Sequence, residues 1–274
     1  MESNNPVLRR AVQSAAENRG LYDEARAAYD NAGGATAESD RLEQAYGAAA
    51  YGERTLQIPD VVAKTAISLA AVAAGAVVGW QNVLLGMLGL VVGLVLGLVN
   101  SFKKQVSPVL VIGYAVAEGL FLGAISRVFS EAYADRAPNL VGQAVLGTIV
   151  AFGVMLALYS NRIVRVNGRF TKMMLGALIA YGLIGLASFV SSFFGVGQGW
   201  GFYGVGQLGM LLCLAGVVLA TFTLALDFDL IEQGVRFGLP ERESWRMAFG
   251  LTSTLVWLYV EILRLLAIFA NNRD

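Results

Sequence analysis

Long runs of apolar residues alternate with short polar segments from about residue 61 to residue 270 of this 274-residue chain. Each run holds about 20 residues, the length that an α-helix needs to cross a hydrocarbon core of about 30 Å. The pattern therefore predicts an all-α fold, a polytopic bundle of seven transmembrane helices. We place the spans at about 61–80, 83–101, 108–127, 139–160, 172–194, 205–228 and 246–270.

The first part of the chain has a different character. Residues 1–57 are polar and contain no early apolar core of the kind found in a cleavable signal peptide. The segment is too short and too polar to bury a core of its own. We interpret residues 1–57 as a largely flexible cytoplasmic arm and residues 58–274 as the membrane domain. Only Gln81 and Asn82 separate the first two spans, so a re-entrant hairpin is the alternative to two crossings there.

Composition agrees with a membrane protein. Hydrophobic residues make up 56% of the chain and charged residues 15%, whereas a soluble domain carries about 25% charged residues. The formal net charge is zero, which gives no basic field for nucleic acid. Histidine is absent, so His-based zinc motifs and Ser–His nucleophiles are excluded. We expect no enzymatic activity and no cofactor, apart from calcium that is transported or weakly bound.

Basic residues gather in alternate loops, which sets an expected orientation. The rule that cytoplasmic loops carry excess Lys and Arg places the amino terminus in the cytoplasm and the carboxyl terminus outside. The predicted location is the inner membrane of a bacterial cell. The residues concerned are Lys103 and Lys104, then Arg162, Arg165, Arg169 and Lys172, then Arg236, Arg242 and Arg246.

Two spans carry a glutamate near their middle, Glu118 and Glu261. An ionisable side chain at that depth costs roughly 3 kcal/mol on insertion scales, and it usually faces the bundle interior or a watery path. Glu118 is either a protonated carboxyl group hydrogen-bonded to a neighbouring helix or a ligand for a proton or cation. Separately, span two carries a small-residue face at Gly89, Gly93 and Gly97, which suits a hinge, a homodimer face or tight packing within the chain.

The last two spans hold the remaining candidate acids. Arg264 follows Glu261 by three residues and shares its helix face, so the two can form a neutral pair. Asp227 and Asp229 end span six. Two positions on a helix that differ by two residues point about 200° apart, so only one of the two acids can face the bundle. Asp227 is the better candidate for that inward position, and Asp229 is interpreted as a solvated helix end.

Three segments together resemble the Bax inhibitor-1-like family, also called the transmembrane Bax inhibitor motif or YccA-like family. They are YAVAEGLFLGAIS in span three, Asp227 with Ile231 four residues later, and Leu258-Tyr259-Val260-Glu261 in span seven, where the family has Asp in place of Glu261. The resemblance covers about residues 58–270. The connection between the last two spans is longer here than in the better-described branch of the family.

The resemblance implies a pH-sensitive calcium leak across a membrane. In the family, carboxylates of spans six and seven share a hydrogen bond that acts as a latch, and by resemblance Asp227 and Glu261 form that pair and a weak, transient calcium site. The family latch can include an arginine at the end of span two, where this chain has Lys103 or Lys104. Two other functions remain open: a non-conducting regulator that binds another membrane protein, such as a quality-control protease, and a proton-coupled transporter that uses Glu118 and Glu261.

Overall fold

Seven long α-helices make up almost all of the computed structural model, which describes residues 54–103, 105, 107–196, 201–204 and 206–271. All seven are long and apolar enough to cross a bilayer. The predicted fold class and the number of spans are therefore confirmed. The helices are α1 (Ile58–Gln81), α2 (Val83–Phe102), α3 (Pro108–Ala132), α4 (Leu140–Ser160), α5 (Gly168–Ser192), α6 (Gln207–Arg236) and α7 (Ser244–Asn271).

The largest difference from the predicted boundaries is at the end of α6. That span was predicted to end at residue 228, but the helix continues to Arg236. Polar side chains on these last turns pair at a spacing of four residues, which stabilises a helix. Gln233 Nε2 lies 2.5 Å from Asp229 Oδ2, and Arg236 Nη2 lies 3.0 Å from a carboxylate oxygen of Glu232. Hydropathy locates the end of the apolar segment, but the helix continues beyond that point.

A single residue, Asn82, separates α1 from α2. Its side-chain oxygen accepts hydrogen bonds from the backbone N–H groups of Leu84, at 3.0 Å, and Leu85, at 3.3 Å. This is an N-cap that satisfies the free donors at the start of α2. The helices on either side have 24 and 20 residues, and each is long enough to cross a bilayer. The structure thus favours two spans over one shared re-entrant hairpin.

Glycines bring α1, α2 and α3 into close contact. A Cβ atom on Gly79 of α1 would collide with the carbonyl group of Leu120 on α3, and one on Gly123 of α3 would collide with the carbonyl of Ala76 on α1. Gly89 of α2 sits equally close to α3, because its Cβ would lie 2.6 Å from the Ala117 carbonyl oxygen. Small residues allow such backbone contact between membrane helices. The small-residue face of α2 therefore serves packing within the chain.

Helix α7 lies at the centre of the bundle and contacts α1, α3, α4 and α6. Its buried apolar side chains belong to two separate clusters. One joins α7 to α4 and α6 and includes Leu258; the other joins α7 to α1, α3 and α4 and includes Leu263. Both leucines are fully buried. Residues on every side of α7 are thus fixed by packing.

A short segment before α1 is held against the connection between α6 and α7. Thr55 forms an antiparallel bridge with Pro240, and the Leu56 N–H donates to the Leu239 carbonyl at 2.7 Å. The Leu56 side chain is 2% exposed and packs in the cluster around α6. We call residues 55–57 the clip. They belong to the folded membrane domain, so its ordered part begins before the predicted boundary at residue 58; residues 1–53 of the predicted arm lie outside the described residues.

Basic and acidic side chains reinforce this end of the bundle. Lys64 Nζ lies 3.0 Å from a carboxylate oxygen of Glu241 and 2.5 Å from Ser244 Oγ. The same ammonium group sits 5.5 Å from the centre of the Trp245 ring. Lys64 thus ties α1 to the start of α7. We call this end, where α1, α3, α5 and α7 begin, the basic end.

Replacing Leu56 with Ala should destabilise the protein, because it removes a buried side chain that links the clip to α6. A buried Leu→Ala change costs about 2–5 kcal/mol. The measurement is the thermal unfolding midpoint of purified protein in detergent. Ile58→Ala is the matched control, since Ile58 is 54% exposed. Equal midpoints for the two variants would contradict a folded role for the clip.

Candidate acidic site along helix α7

One face of α7 carries most of the polar groups that meet α5 and α6. Gly250, Thr254, Trp257, Glu261 and Arg264 follow each other at alternating spacings of four and three residues, so they share one side of the helix. We call these five residues the polar stripe. The candidate acids of α6 and α7 both lie along it.

Asp227 of α6 faces the first part of the polar stripe. Its Oδ1 atom lies 3.7 Å from where a Cβ on Gly250 would be, and the carboxyl group is next to Thr254. The Oδ2 atom is buried and has no hydrogen-bond partner among the described residues. A buried ionised carboxylate is stable only when it is paired and hydrogen-bonded. This group therefore needs a proton, a water molecule or a cation.

Glu261 lies further along the stripe and is fully partnered. Its Oε1 atom accepts hydrogen bonds from Tyr181 of α5, at 2.7 Å, and from Trp257, at 3.1 Å. Its Oε2 atom lies 2.7 Å from Arg264 Nη2 in an ion pair. Glu261 is 4% exposed. The predicted pair of Glu261 with Arg264 is confirmed, and it neutralises this buried charge.

A second layer of contacts fixes the arginine of this pair. Arg264 Nε donates to Cys213 Sγ of α6 at 3.0 Å, and its guanidinium group sits 4.2 Å from the centre of the Tyr203 ring. That arrangement is a cation–π contact. A Cβ on Gly216 would lie 2.6 Å from the Glu261 carboxyl carbon, so this glycine makes room for the acid. Cys213 is itself buried.

Sequence reasoning did not include Tyr181, Trp257, Tyr203 or Gly216 in the site. A signal for the aromatic residues existed, since buried Tyr and Trp side chains usually find a hydrogen-bond partner for their polar atom. Trp257 precedes Glu261 by four residues, one helical turn on the same face. Tyr181 comes from a distant helix, so only the fold brings it to Glu261.

The structure does not bring Asp227 and Glu261 together. Glu261 faces Gly216, whereas Asp227 faces Gly250, eleven residues away from these positions along each helix. Eleven residues correspond to about 16 Å of α-helix. The latch hydrogen bond between the two acids and a calcium site built from both are therefore wrong for this structure.

Glu118 of α3 lies beside a different strip of α7, next to the strip that faces Asp227. The carboxyl group is half-buried and packs on α2, where its Oε1 would be 3.0 Å from a Cβ on Gly93. One turn earlier on α3, Tyr114 OH donates to Ser253 Oγ of α7 at 3.1 Å. Ser253 and Gly250 are neighbours on α7. Thus α3 presents Glu118, and α6 presents Asp227, beside adjoining strips of α7.

The residues predicted to support the site lie elsewhere. Lys103 is exposed at the end of α2, where its carbonyl accepts from Arg246 Nη1 at 3.3 Å; Lys104 lies outside the described residues. Asp229 is half-buried rather than solvated, and it accepts from Tyr159 of α4 at 3.5 Å. No group of three or more His, Cys, Asp and Glu side chains in the described part of the chain could hold a metal ion.

A comparison with protein families finds a match over nearly the whole chain. The family model described as Bax inhibitor 1 like matches residues 5–271. The chain belongs to the Bax inhibitor 1 like family. The match includes most of the segment before α1, so the family pattern extends beyond the seven helices. No curated protein matches the chain.

Removing the arginine of the buried pair should destabilise the protein strongly. Arg264→Met leaves Glu261 as a buried charge without a cation, and breaking a buried pair in this way costs about 3–5 kcal/mol. The double variant Glu261→Gln/Arg264→Met should recover much of the loss, because no uncompensated charge remains. The measurement is a double-mutant cycle of unfolding midpoints in detergent. Strictly additive losses would contradict the pairing.

Proposed function

We propose that the protein is a pH-sensitive leak for calcium or another cation, in which Asp227 is the gating acid. The single observation that carries this proposal is the buried Asp227 Oδ2 atom, which lies inside a predicted membrane span and has no hydrogen-bond partner in the described part of the chain. Glu118 serves as a second acid on the neighbouring strip of α7. The pair of Glu261 and Arg264 has a fixed structural role, because its charges already balance.

The direction of the pH effect follows from the surroundings of Asp227. The groups next to its carboxyl are Gly250 and Thr254 of α7, and neither carries a charge. A protonated, neutral carboxyl group is compatible with this dry contact, whereas an ionised one is not. Loss of the proton at higher pH therefore disfavours the closed contact between α6 and α7. The leak should increase as the pH rises.

The same groups suit a weak site for a passing cation. Calcium binds oxygen ligands, including carboxylates, carbonyls and water. Asp227 and Glu118, together with the hydroxyl groups of Ser253 and Thr254, offer oxygen atoms along adjoining strips of α7. Conduction requires binding that is weak enough to release the ion. A site completed by water meets that requirement better than a closed protein cage.

The distribution of charge supports an orientation for the leak. Lys64, Arg162, Arg165 and Arg246 lie near the basic end of the bundle. Cytoplasmic loops are rich in such residues. We place the basic end in the cytoplasm of the cell and the inner membrane as the location. Asp227 then lies in the half of the membrane closer to the cytoplasm, and Glu261 in the outer half.

Asp227→Asn should flatten the pH dependence of cation flux, because an amide cannot lose the proton that closes the contact. The measurement is calcium flux into liposomes that contain purified protein, from about pH 5 to about pH 8. Flux through the unaltered protein should rise across this range. Asp229→Asn is the matched control, since Asp229 faces Tyr159 instead. A profile that stays pH-dependent in Asp227→Asn would overturn the gating role.

The second candidate function is a non-conducting regulator of another membrane protein. One observation favours it: the clip connects the segment before α1 directly to the loop between α6 and α7. A partner bound to that segment could thus act on the helix pair that carries Asp227. Flux equal to that of empty liposomes at every pH would favour this function over a leak.

Loss of residues 1–53 should release a partner if the protein is such a regulator. The clip stays in place in this truncation, so the fold of the membrane domain is kept. The measurement compares proteins that co-purify from native membranes with the full chain and with the truncated chain. Leu56→Ala, which keeps the segment but weakens the clip, should retain the partner. The same co-purified proteins in all cases would count against a docking role.

A further inference from the structure

An apolar cleft of about 710 Å³ runs along the outside of α7. Its walls are α1 and α4, and its floor is formed by α3 and α7. The lining surface is mostly apolar, with Ala76 and Val77 on α1, Val145 and Ile149 on α4, and Leu255 and Val256 on α7. This cleft is separate from the polar stripe, which lies on a different face of α7.

The cleft is open toward the membrane. Helices α1 and α4 both pack on α7 but make little contact with each other, so a gap remains between them. Val77 and Ile149 at its edges are more than half exposed, at 62% and 61%. An apolar cavity of this kind does not hold water well. Since these helices are membrane spans by length and composition, the medium that fills the gap is hydrocarbon.

The cleft is longer than one leaflet along one of its walls. On α4 the lining residues run from Val141 to Phe152, which is about 16 Å of helix, and on α1 they run from Thr65 to Gln81, which is about 24 Å. Half of a hydrocarbon core is about 15 Å. Val141 is near the start of α4 and therefore marks the end of the bundle opposite the basic end. The cleft begins at that surface and extends past the midplane along α1.

A positively charged side chain lies at the end of the cleft opposite the basic end. Trp80 and Gln81 line that end, and Arg127 Nη1 donates to their carbonyl oxygens at 3.1 and 3.3 Å. Arg127 Nε donates a hydrogen bond to Glu131 Oε1 at 2.7 Å. The Nη2 group of Arg127 makes no hydrogen bond within the described residues. Arginine is well suited to phosphate, and tryptophan is typical of the membrane interface.

We propose that this cleft binds one phospholipid, with an acyl chain between α1 and α4 and its phosphate group at Arg127. The combination of a long apolar slot and a phosphate-binding side chain at its mouth selects a phospholipid over a neutral hydrocarbon. Because the lipid would contact α7 through Leu255 and Val256, it would hold α1 and α4 at a fixed separation on the central helix. This inference does not depend on the proposed leak.

The test is native mass spectrometry of the full chain purified in a mild detergent, which counts retained phospholipids. Val145→Trp fills the cleft from the α4 wall and should lose the bound lipid. Val154→Trp is the matched control on the same helix; it is 52% exposed and lies outside the cleft. The unaltered protein and this control should retain one phospholipid.

Arg127→Gln tests the phosphate contact without changing the volume of the cleft. Because the variant loses a hydrogen bond between charged groups, retention of the phospholipid should fall by about tenfold or more. Ala76→Phe, on the opposite wall, replaces Val145→Trp if that variant does not yield folded protein by gel filtration. Equal lipid content in all variants, or none in the unaltered protein, would show ordinary exchange with the surrounding bilayer and overturn the proposal.

Discussion

The antiparallel register of α6 against α7 decides the environment of each acid in this bundle. The register pairs Gly216 with Glu261 and Asp227 with Gly250, so each carboxyl group faces a glycine across the interface. A shift of one helical turn would press these acids against larger side chains. The register in turn depends on the extension of α6 to Arg236 and on the clip, which fixes the connection to α7 through Leu56 and Leu239.

This register separates two acids that share the same polar stripe but meet different partners. Glu261 receives hydrogen bonds from Tyr181 and Trp257 and a cation from Arg264. Asp227 meets Gly250 and Thr254, and one of its oxygen atoms has no hydrogen-bond partner among the residues that the structure describes. In the membrane interior, away from water, an ion pair with all its partners stabilises one packing of the helices. Around an acid that lacks a partner, the stability of the packing depends instead on whether that acid is protonated. The two acids are therefore suited to opposite roles.

The parts of this structure that were predictable from sequence are the local ones. Apolar length gave seven spans, and the three-residue spacing gave the pair of Glu261 and Arg264, because both depend only on neighbours along one helix. The partners of Asp227 were not predictable, since they depend on the register between two helices. Tyr181 is a similar case: it reaches Glu261 from a helix 80 residues earlier in the chain. The end of α6 was missed because a helix can continue past the apolar segment.

The two sides of α7 are held by different kinds of contact. On the side of α3, Tyr259 and Ser126 form a buried hydrogen bond of 2.6 Å, and α1 packs on α3 through glycines that leave no space. On the side of α6, Asp227 meets Gly250 and Thr254, and an apolar cluster that includes Leu251 and Leu258 joins the two helices. Because α7 also packs on α1, α3 and α4, the proposed ionisation of Asp227 would displace α6 rather than α7. The end of α6 is joined to Leu56 through the loop at Leu239. The clip would therefore limit how far α6 can move. The clip would also transmit a force on the segment before α1 to the contact at Asp227.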